Sequence, residues 1–392
     1  MSHTLPVTGN TEKTRPENRA FYPALDGLRA AAFVMVFFRH YAGLPWGWAG
    51  VDLFFVLSGF LITGILFDTR DDTHRVRNFY VRRTLRIFPL YYGIILAIFL
   101  ATPFLHWDWN WHWLIWPAYL GNYARYFHPT LINSPMDQFA NFEPSAPFGG
   151  RHLTLYLGHC WSLCVEEQFY LVWPWLVFWI RDRRKLLVLC AITLPLCLAM
   201  RLAGQHFLPG WMVDADILDR TTPFRLDALL LGGLLALWLR GPGAAALLRA
   251  ARIAAPFVVI ILLLWAIFTP SGHLWRSPYI FPQWSFTWGL TVTEMIAAIL
   301  ILLAIQPGSF IYRIFSLRPL RWLGRISYGA YVLHDIPHAI FSRIGVVLAP
   351  RYASELTAAI ALVFTVVAAW LSFRFFETPF LNLKERWTMR NG

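Results

Sequence analysis

Residues 49–67 read AGVDLFFVLSGFLITGILF, and this apolar run decides the class of fold. The run carries a single charge, at Asp52, and a helix needs about 20 apolar residues to cross the ~30 Å hydrocarbon core of a bilayer. Similar runs recur along the chain, at residues 24–42, 88–106, 164–181, 186–203, 224–240, 253–269, 288–305, 326–349 and 355–376. The pattern predicts an all-α, polytopic integral membrane protein with about ten transmembrane helices.

The composition supports a lipid environment. The 392 residues are 57% hydrophobic and 14% charged, against about 25% charged residues in ordinary soluble domains. The net charge of +12 would suggest nucleic acid binding in a soluble protein. Here the basic residues lie in short tracts between apolar runs, so the expected partner is the lipid bilayer and not nucleic acid.

The distribution of basic residues predicts the orientation. If the ten spans start from the inside, the inside segments hold 23 Lys and Arg residues and the outside segments hold 5. This asymmetry predicts a cytoplasmic N-terminal tail (1–20), a transmembrane domain (21–380) and a cytoplasmic C-terminal tail (381–392) in a plasma or inner membrane. Residues 107–127, which are aromatic but interrupted by polar groups, are interpreted as interfacial or re-entrant. If they cross the bilayer, every later side assignment reverses.

Ionisable groups inside spans are costly and therefore indicate function. Arg29 and His40 are eleven residues apart, which places both side chains on one helix face, about 16 Å apart along the axis. Two interpretations remain open. The side chains would line an interior pore, or they would extend to opposite headgroup layers.

A basic tract, Arg82-Arg83-Thr84-Leu85-Arg86, precedes the third span. Arg83 and Arg86 share a helix face. Arginine side chains bind phosphates well, so the tract indicates a phosphorylated ligand. An ordinary positive-inside anchor explains the spacing equally well.

Two adjacent acids, Glu166 and Glu167, enter the fourth span. Ser162 precedes Glu166 by four residues, so we expect Ser162 to cap this helix and to face Glu166. One acid would be favoured at the helix start by the helix dipole. The other would serve acid–base chemistry or bind a sugar hydroxyl.

Other polar residues are weaker candidates. Asp52 and Ser58 lie in the second span, with Asp52 near the outer end at the level of His40. His334 and His338 are four apart and are expected to share a helix face, which would suit a metal ion. HDIPH is not the HExxH zinc motif, however, and Pro337 distorts a helix, so no metal site is expected. We expect an internal ion pair between Arg225 and Asp227, and no role is assigned to Glu294. The cysteines are expected to be small apolar fillers: Cys160, Cys164, Cys190 and Cys197.

Several motifs, taken together and in order, resemble the acyltransferase 3 family of membrane-bound acyltransferases. The opening stretch YPALDGLRA (22–30) leads to the family's Arg-x10-His motif at Arg29 and His40. The later matches cover nearly the whole chain: GVDLFFVLSGFLIT (50–63), RRTLRIFPLYY (82–92), WSLCVEEQFYLVWP (161–174), RLDALLLG (225–232), LGRISYGAYVLH (323–334) and FFETP (375–379).

The resemblance implies transfer of an acyl group, commonly acetyl from acetyl-CoA, to a hydroxyl of an exported carbohydrate. Relatives also acylate small secondary metabolites. On this reading His40 is the general base or carries the acyl group transiently, and Arg29 stabilises the thioester oxyanion or holds the donor. Arg82, Arg83 and Arg86 would bind the phosphates of CoA. Glu166 or Glu167 would orient His40 or bind the acceptor. Substrate-binding or supporting roles would fall to Asp52, Ser58, Ser162 and His334.

Two other classes of function remain. A transporter or flippase of a polar lipid or glycan would also need buried charges near the midplane. A non-catalytic sensor or scaffold would show no coenzyme affinity and would tolerate changes at Arg29 and His40. The absence of an inverted repeat and the basic tract favour the enzyme. The sequence leaves open the acyl group, the acceptor hydroxyl, and the choice between a covalent acyl-histidine and direct transfer.

Overall fold

The computed structural model of the chain describes residues 22–44, 46–105, 114–124, 141–142, 153–154, 157–210, 217–268 and 287–389. The predicted N-terminal tail, 1–20, lies outside these residues. Within them the fold is helical, apart from β1 (Asn141–Phe142) and β2 (Leu153–Thr154), which pair antiparallel. The all-α fold class is therefore confirmed.

The helices follow the predicted apolar runs closely, and each run contains helical residues. In chain order they are α1 (Pro23–Ala42), α2 (Ala49–Asp68), α3 (Arg75–Leu105), α4 (Trp161–Ile180), α5 (Arg183–Phe207), α6 (Ile217–Arg220), α7 (Leu226–Trp238), α8 (Ala244–Phe268), α9 (Trp288–Ala304), α10 (Phe310–Phe315), α11 (Arg318–Arg325), α12 (Ser327–Leu333), α13 (His338–Leu348), α14 (Ala353–Leu371), α15 (Thr378–Asn382) and α16 (Lys384–Trp387). Short 3-10 turns occur at Gly121–Tyr123, Gly158–Cys160, Thr222–Phe224 and Pro350–Tyr352, and a π-helical segment, Ser372–Glu377, joins α14 to α15.

Membrane character follows from length and hydropathy. Four segments of the described chain are long and apolar enough to cross a bilayer: Ala49–Asp68, Arg75–Leu100, Arg183–Phe207 and Pro350–Trp387. Two more apolar helices, Leu226–Trp238 and Trp288–Ala304, are shorter. Large apolar side chains such as Leu171 and Trp179 are exposed on α4, as expected for a surface solvated by lipid. The number of ten spans and the side of each terminus stay predictions.

The predicted ninth span, 326–349, is wrong as a single helix. The structure ends α12 at Leu333 and begins α13 at His338, with a bend between them. Pro337 explains the break, because proline lacks the N–H of the helix ladder and restricts the residue before it. His334 and His338 therefore do not share one helix face.

The aromatic segment predicted at 107–127 is described only between residues 114 and 124, so 107–113 and 125–127 lie outside the described residues. The described part forms turns, including the 3-10 turn Gly121–Tyr123. The hydroxyls of Tyr91 and Tyr92 on α3 donate to the carbonyls of Trp116 and Pro117, each at 2.8 Å. These bonds tie the turns to α3, while the interfacial or re-entrant interpretation stays a prediction.

The predicted C-terminal tail, 381–392, is described as far as residue 389. It contains α16 and lies against the start of α3. The Asn78 side chain donates to the carbonyl of Met389 and accepts from its N–H, both at 2.9 Å. The described part of this tail is therefore held by the helical domain.

Glycines allow α2 and α7 to cross very closely. A Cβ atom on Gly59 would lie 1.8 Å from the carbonyl oxygen of Leu229, and one on Gly232 would lie 2.1 Å from that of Val56. Small residues at helix crossings let backbones approach closely in membranes. This crossing matters for the site because α2 carries Asp52 and Ser58.

Replacing Gly59 with alanine is expected to destabilise the protein by about 1–3 kcal/mol, because backbone atoms of two helices must separate to admit the methyl group. The thermal unfolding midpoint of the detergent-purified protein measures the effect. Gly308→Ala is the matched control, since a Cβ atom there meets nothing within 4 Å. An unchanged midpoint for Gly59→Ala would contradict the close crossing.

Candidate functional site

His40 lies near the end of α1, two residues before the helix finishes at Ala42. Its Nδ1 atom is 3.1 Å from Oδ2 of Asp335, with side chains 31% and 8% exposed, respectively. Asp335 occupies the bend between α12 and α13. A carboxylate at this distance holds a proton on Nδ1 and leaves Nε2 as the nitrogen that can accept a proton from a ligand.

Asp335 gathers three further histidines around it. Nδ1 of His338 lies 2.9 Å from its Oδ1, and Nδ1 of His159 lies 3.8 Å from its Oδ2. The ring of His334 is centred 5.1 Å from the ring of His40 and 4.8 Å from that of His159. The histidine cluster is defined as these five side chains. His40, His334 and Asp335 each offer one potential metal-ligand atom, all within 4.8 Å of one another.

Hydroxyl groups hold the backbone around this cluster. Tyr41 donates to the carbonyl of His334 at 2.7 Å, and Tyr331 donates to the carbonyl of His159 at 2.8 Å. Ser162 Oγ lies 2.6 Å from the Tyr331 hydroxyl. Ser162 and Tyr331 therefore help to position the segment that carries His159.

The predicted cap at Ser162 is wrong. The 3-10 turn Gly158–Cys160 runs directly into α4, which begins at Trp161, so Ser162 already lies in the first helical turn. A residue there is past the position from which a side chain caps the helix. Its hydroxyl contacts Tyr331 instead of Glu166.

An arginine cluster lies on α1 and α3, toward the other end of α1 from His40. Arg83 Nε is 3.9 Å from Glu167 Oε1, and the Arg83 guanidinium lies 3.7 Å above the ring of Tyr170. Ser58 Oγ is hydrogen-bonded to the Tyr170 hydroxyl. These contacts hold Arg83 by a charge pair and a cation–π interaction.

Arg29 and Arg86 complete this cluster. Arg29 is close enough to Arg83 and Glu166 for their charges to interact, and Arg86 interacts in the same way with Arg29 and Arg83. Three guanidinium groups thus converge on one region, which favours binding of a polyanion. Arg82 is exposed on α3; it lies four residues before Arg86, and both are close enough to Lys384 for their charges to interact.

The expected role of Glu166 or Glu167 in orienting His40 is not supported by the contacts. Asp335 occupies the Nδ1 side of His40, and Glu167 contacts Arg83. The acids on α4 therefore balance charge in the arginine cluster. Sequence reasoning missed Asp335 as the partner of His40 and overlooked His159. The available signal was an acid directly after His334, at a helix break before Pro337.

A third group of charges is fully buried between α2, α5, α7 and α9. Arg225 pairs with Asp52, and the Thr293 hydroxyl also donates to Asp52. Arg225 lies 3.8 Å from Glu294. We define the buried ion network as Asp52, Arg225, Thr293 and Glu294 together with the ion pair of Arg201 and Asp227.

The predicted pair of Arg225 with Asp227 is wrong, because Asp227 pairs with Arg201 at 2.6 Å while Arg225 turns to Asp52. The close crossing of α2 and α7 brings Asp52 to Arg225. Asp227, in the first turn of α7, instead meets Arg201 from α5. Asp52, in the first turn of α2, therefore pairs with Arg225 and not with His40. Each of these buried carboxylates lies beside a guanidinium group, so removing one partner would leave the other charge uncompensated.

The four cysteines are all buried and none forms a disulfide. This agrees with the expectation that they fill apolar space.

Comparison with known proteins gives one family match and several relatives. The model of a family described as an acyltransferase domain matches residues 22–374. Peptidoglycan O-acetyltransferase OatA of Listeria monocytogenes is 30% identical over 389 residues, which cover 94% of this chain and 57% of OatA. The putative peptidoglycan O-acetyltransferase YrhL of Bacillus subtilis is 29% identical over 385 residues, covering 93% of this chain and 56% of YrhL.

A putative O-acetyltransferase of Staphylococcus aureus is 28% identical over 394 residues, covering 94% of this chain and 58% of the relative. The chain thus spans a little over half the length of the curated relatives it matches. No solved structure shows significant similarity to it.

Proposed function

Because the chain belongs to the acyltransferase 3 family, we propose that it is a membrane O-acyltransferase that moves an acetyl group from acetyl-CoA to a hydroxyl of a cell-envelope glycan. The observation that carries this proposal is the His40–Asp335 pair, 3.1 Å between Nδ1 and Oδ2. It supplies an oriented imidazole, partly exposed, on a family motif. The names of OatA and YrhL support a peptidoglycan-like acceptor.

The reaction follows from the orientation of His40. Nε2 takes the proton of the acceptor hydroxyl as its oxygen bonds to the thioester carbonyl carbon. The carbon–sulfur bond then breaks, the imidazolium returns the proton to the departing CoA thiolate, and an ester remains on the acceptor. Asp335 stabilises the imidazolium while it exists. A route through an acetyl-His40 intermediate uses the same nitrogen as nucleophile.

The arginine cluster supplies the donor site in this proposal. CoA carries several phosphate charges, and Arg29, Arg83 and Arg86 offer guanidinium groups that bind phosphate through paired hydrogen bonds. The helix places Arg29 about 16 Å from His40. The flexible pantetheine arm of the coenzyme would bridge this separation and bring the thioester to the imidazole. The predicted topology puts the arginines on the cytoplasmic side, where acetyl-CoA is made.

Replacing Arg86 with glutamine is expected to raise the KM for acetyl-CoA by about 10–100-fold, because one charge-assisted contact to phosphate is lost. Steady-state kinetics with varied acetyl-CoA measure the change. Arg77→Gln, on the exposed face of the same helix, is the matched control and removes the same charge. Equal effects of the two substitutions would contradict a specific donor site at Arg86.

The proposed activity is tested by CoA release from acetyl-CoA with detergent-purified protein, alone and with cell-wall glycan. The expected result is release that increases when glycan is added, together with an acetyl ester on the glycan. A folded protein that releases no CoA from acetyl-, propionyl- or succinyl-CoA with glycan would contradict it. The transporter alternative would then be tested by glycan movement across vesicles.

A further inference from the structure

Two buried imidazole lone pairs in the histidine cluster have no hydrogen-bond donor within the described part of the chain. His334 Nδ1 lies 2.7 Å from the carbonyl oxygen of Tyr331, and a carbonyl only accepts, so Nδ1 carries the proton. Its Nε2 atom is then an unprotonated nitrogen, buried and without a hydrogen-bond partner in the described residues. The His334 side chain is fully buried.

His159 shows the same arrangement with its nitrogens exchanged. Its Nε2 atom lies 3.1 Å from the carbonyl oxygen of Val332 and therefore carries the proton. The Nδ1 lone pair is buried with no hydrogen-bond partner among the described residues, 3.8 Å from Oδ2 of Asp335. Burying such lone pairs is unfavourable unless a cation or a proton donor meets them.

This arrangement matches the surroundings of a metal ion. Histidines that bind metals usually donate their second ring N–H to a backbone carbonyl or carboxylate, which fixes the tautomer. His334 and His159 both do so. Two histidines and one carboxylate, with one open position, form a ligand set used by zinc. The ligand atoms of His40, His334 and Asp335 lie within 4.8 Å of one another, and tetrahedral zinc needs about 3.3 Å between them, a difference that small side-chain rotations can supply.

We propose that His40, His334 and Asp335 form a binding site for a divalent transition-metal ion, for which Zn²⁺ is the best match, and that His159 is available as a fourth ligand. Occupation of this site blocks acyl transfer, a consequence that rests on the proposed function. The ion replaces the proton on His40 Nδ1, beside Oδ2 of Asp335, and the remaining ring proton then lies on Nε2, which can no longer accept the proton of the acceptor hydroxyl. Zn²⁺ is thus an inhibitor that acts at the reacting base. The site differs from the HDIPH pair considered from sequence, since it joins His334 to α1.

Zinc binding to the protein itself is the test. The protein is purified through a tag without histidine, treated with a chelator and dialysed against Zn²⁺, and bound metal per chain is measured by mass spectrometry. The expected result is one Zn²⁺ per chain, with affinity at least about tenfold weaker in His334→Gln. His206→Gln, at the end of α5, is the matched control and should retain full affinity.

X-ray absorption of the zinc-loaded protein adds a measurement that does not depend on the variant. It should show two nitrogen ligands near 2.0–2.1 Å, or three where His159 is the fourth ligand. Absence of zinc binding in folded wild-type protein would overturn the proposal, as would equal affinity in His334→Gln and His206→Gln. Because the readout is bound metal, zinc binding can be measured even if the protein transfers no acyl group. Zinc that binds without lowering the rate of acyl transfer would overturn the proposed inhibition.

Discussion

Replacing His40 with glutamine is expected to lower the acetyl-transfer rate by about 10²–10⁴-fold, the usual contribution of a positioned general base. Glutamine keeps a polar side chain of similar length beside Asp335 but cannot accept and return a proton. The rate of CoA release with saturating acetyl-CoA and glycan measures the loss. The KM for acetyl-CoA should change little, because the donor phosphates lie at the arginine cluster.

A second variant separates catalysis from packing. Asp335→Asn should keep much of the shape of the site but remove the charge that stabilises the His40 imidazolium, so transfer should fall and its pH profile should shift. Tyr80→Phe on α3, whose hydroxyl donates to the carbonyl of Leu171 at 3.0 Å, is a control outside the cluster. A His40→Gln protein that turns over at the wild-type rate would rule out His40 as the base.

Replacing Arg225 with methionine is expected to destabilise the folded protein by about 3–5 kcal/mol, since it leaves buried carboxylates without their counter-charge. Arg225 and Asp52 are each 1% exposed, so water cannot compensate. Glu294, 3.8 Å from the same guanidinium, loses its neighbour as well. Thermal unfolding followed by tryptophan fluorescence in detergent measures the effect.

Arg240→Met provides the matched control for this prediction. Arg240 makes two hydrogen bonds of 2.6 Å to Asp68, but the pair is 29% and 44% exposed. Its loss should cost about 1 kcal/mol or less. The double variant Arg225→Met with Asp52→Asn should recover part of the lost stability. Equal effects of Arg225→Met and Arg240→Met would contradict the structural role of the buried ion network.

The helical segments were predictable because each depends on a local condition. A long apolar run in a bilayer must satisfy its own backbone hydrogen bonds, and a helix does so. Arg29 and His40 were predictable as a pair for a similar reason, since they share one helix. The break at His334–Pro337 was predicted only in part. Proline signalled a distortion, but the extent of the bend depends on how α12 and α13 pack.

The partners of the charged residues were not predictable, because they are distant in sequence. Asp335 reaches His40 across 295 positions, and Arg225 meets Asp52 across 173. The sequence placed Arg225 beside Asp227, two residues away, whereas the helix periodicity points these side chains in different directions. Only the packing of α1 against α12, and of α2 against α7, decides which charges meet.

The most direct measurement follows a labelled acetyl group. Wild-type protein and His40→Gln would be incubated with acetyl-CoA labelled in the acetyl group and with cell-wall glycan, and ester-linked label on the glycan would be counted over time. The proposed function predicts labelled glycan ester that accumulates with wild-type protein and is reduced by about 10²–10⁴-fold with His40→Gln. Label that reaches the glycan equally with both proteins, or CoA release that leaves no ester on any hydroxyl, would contradict it.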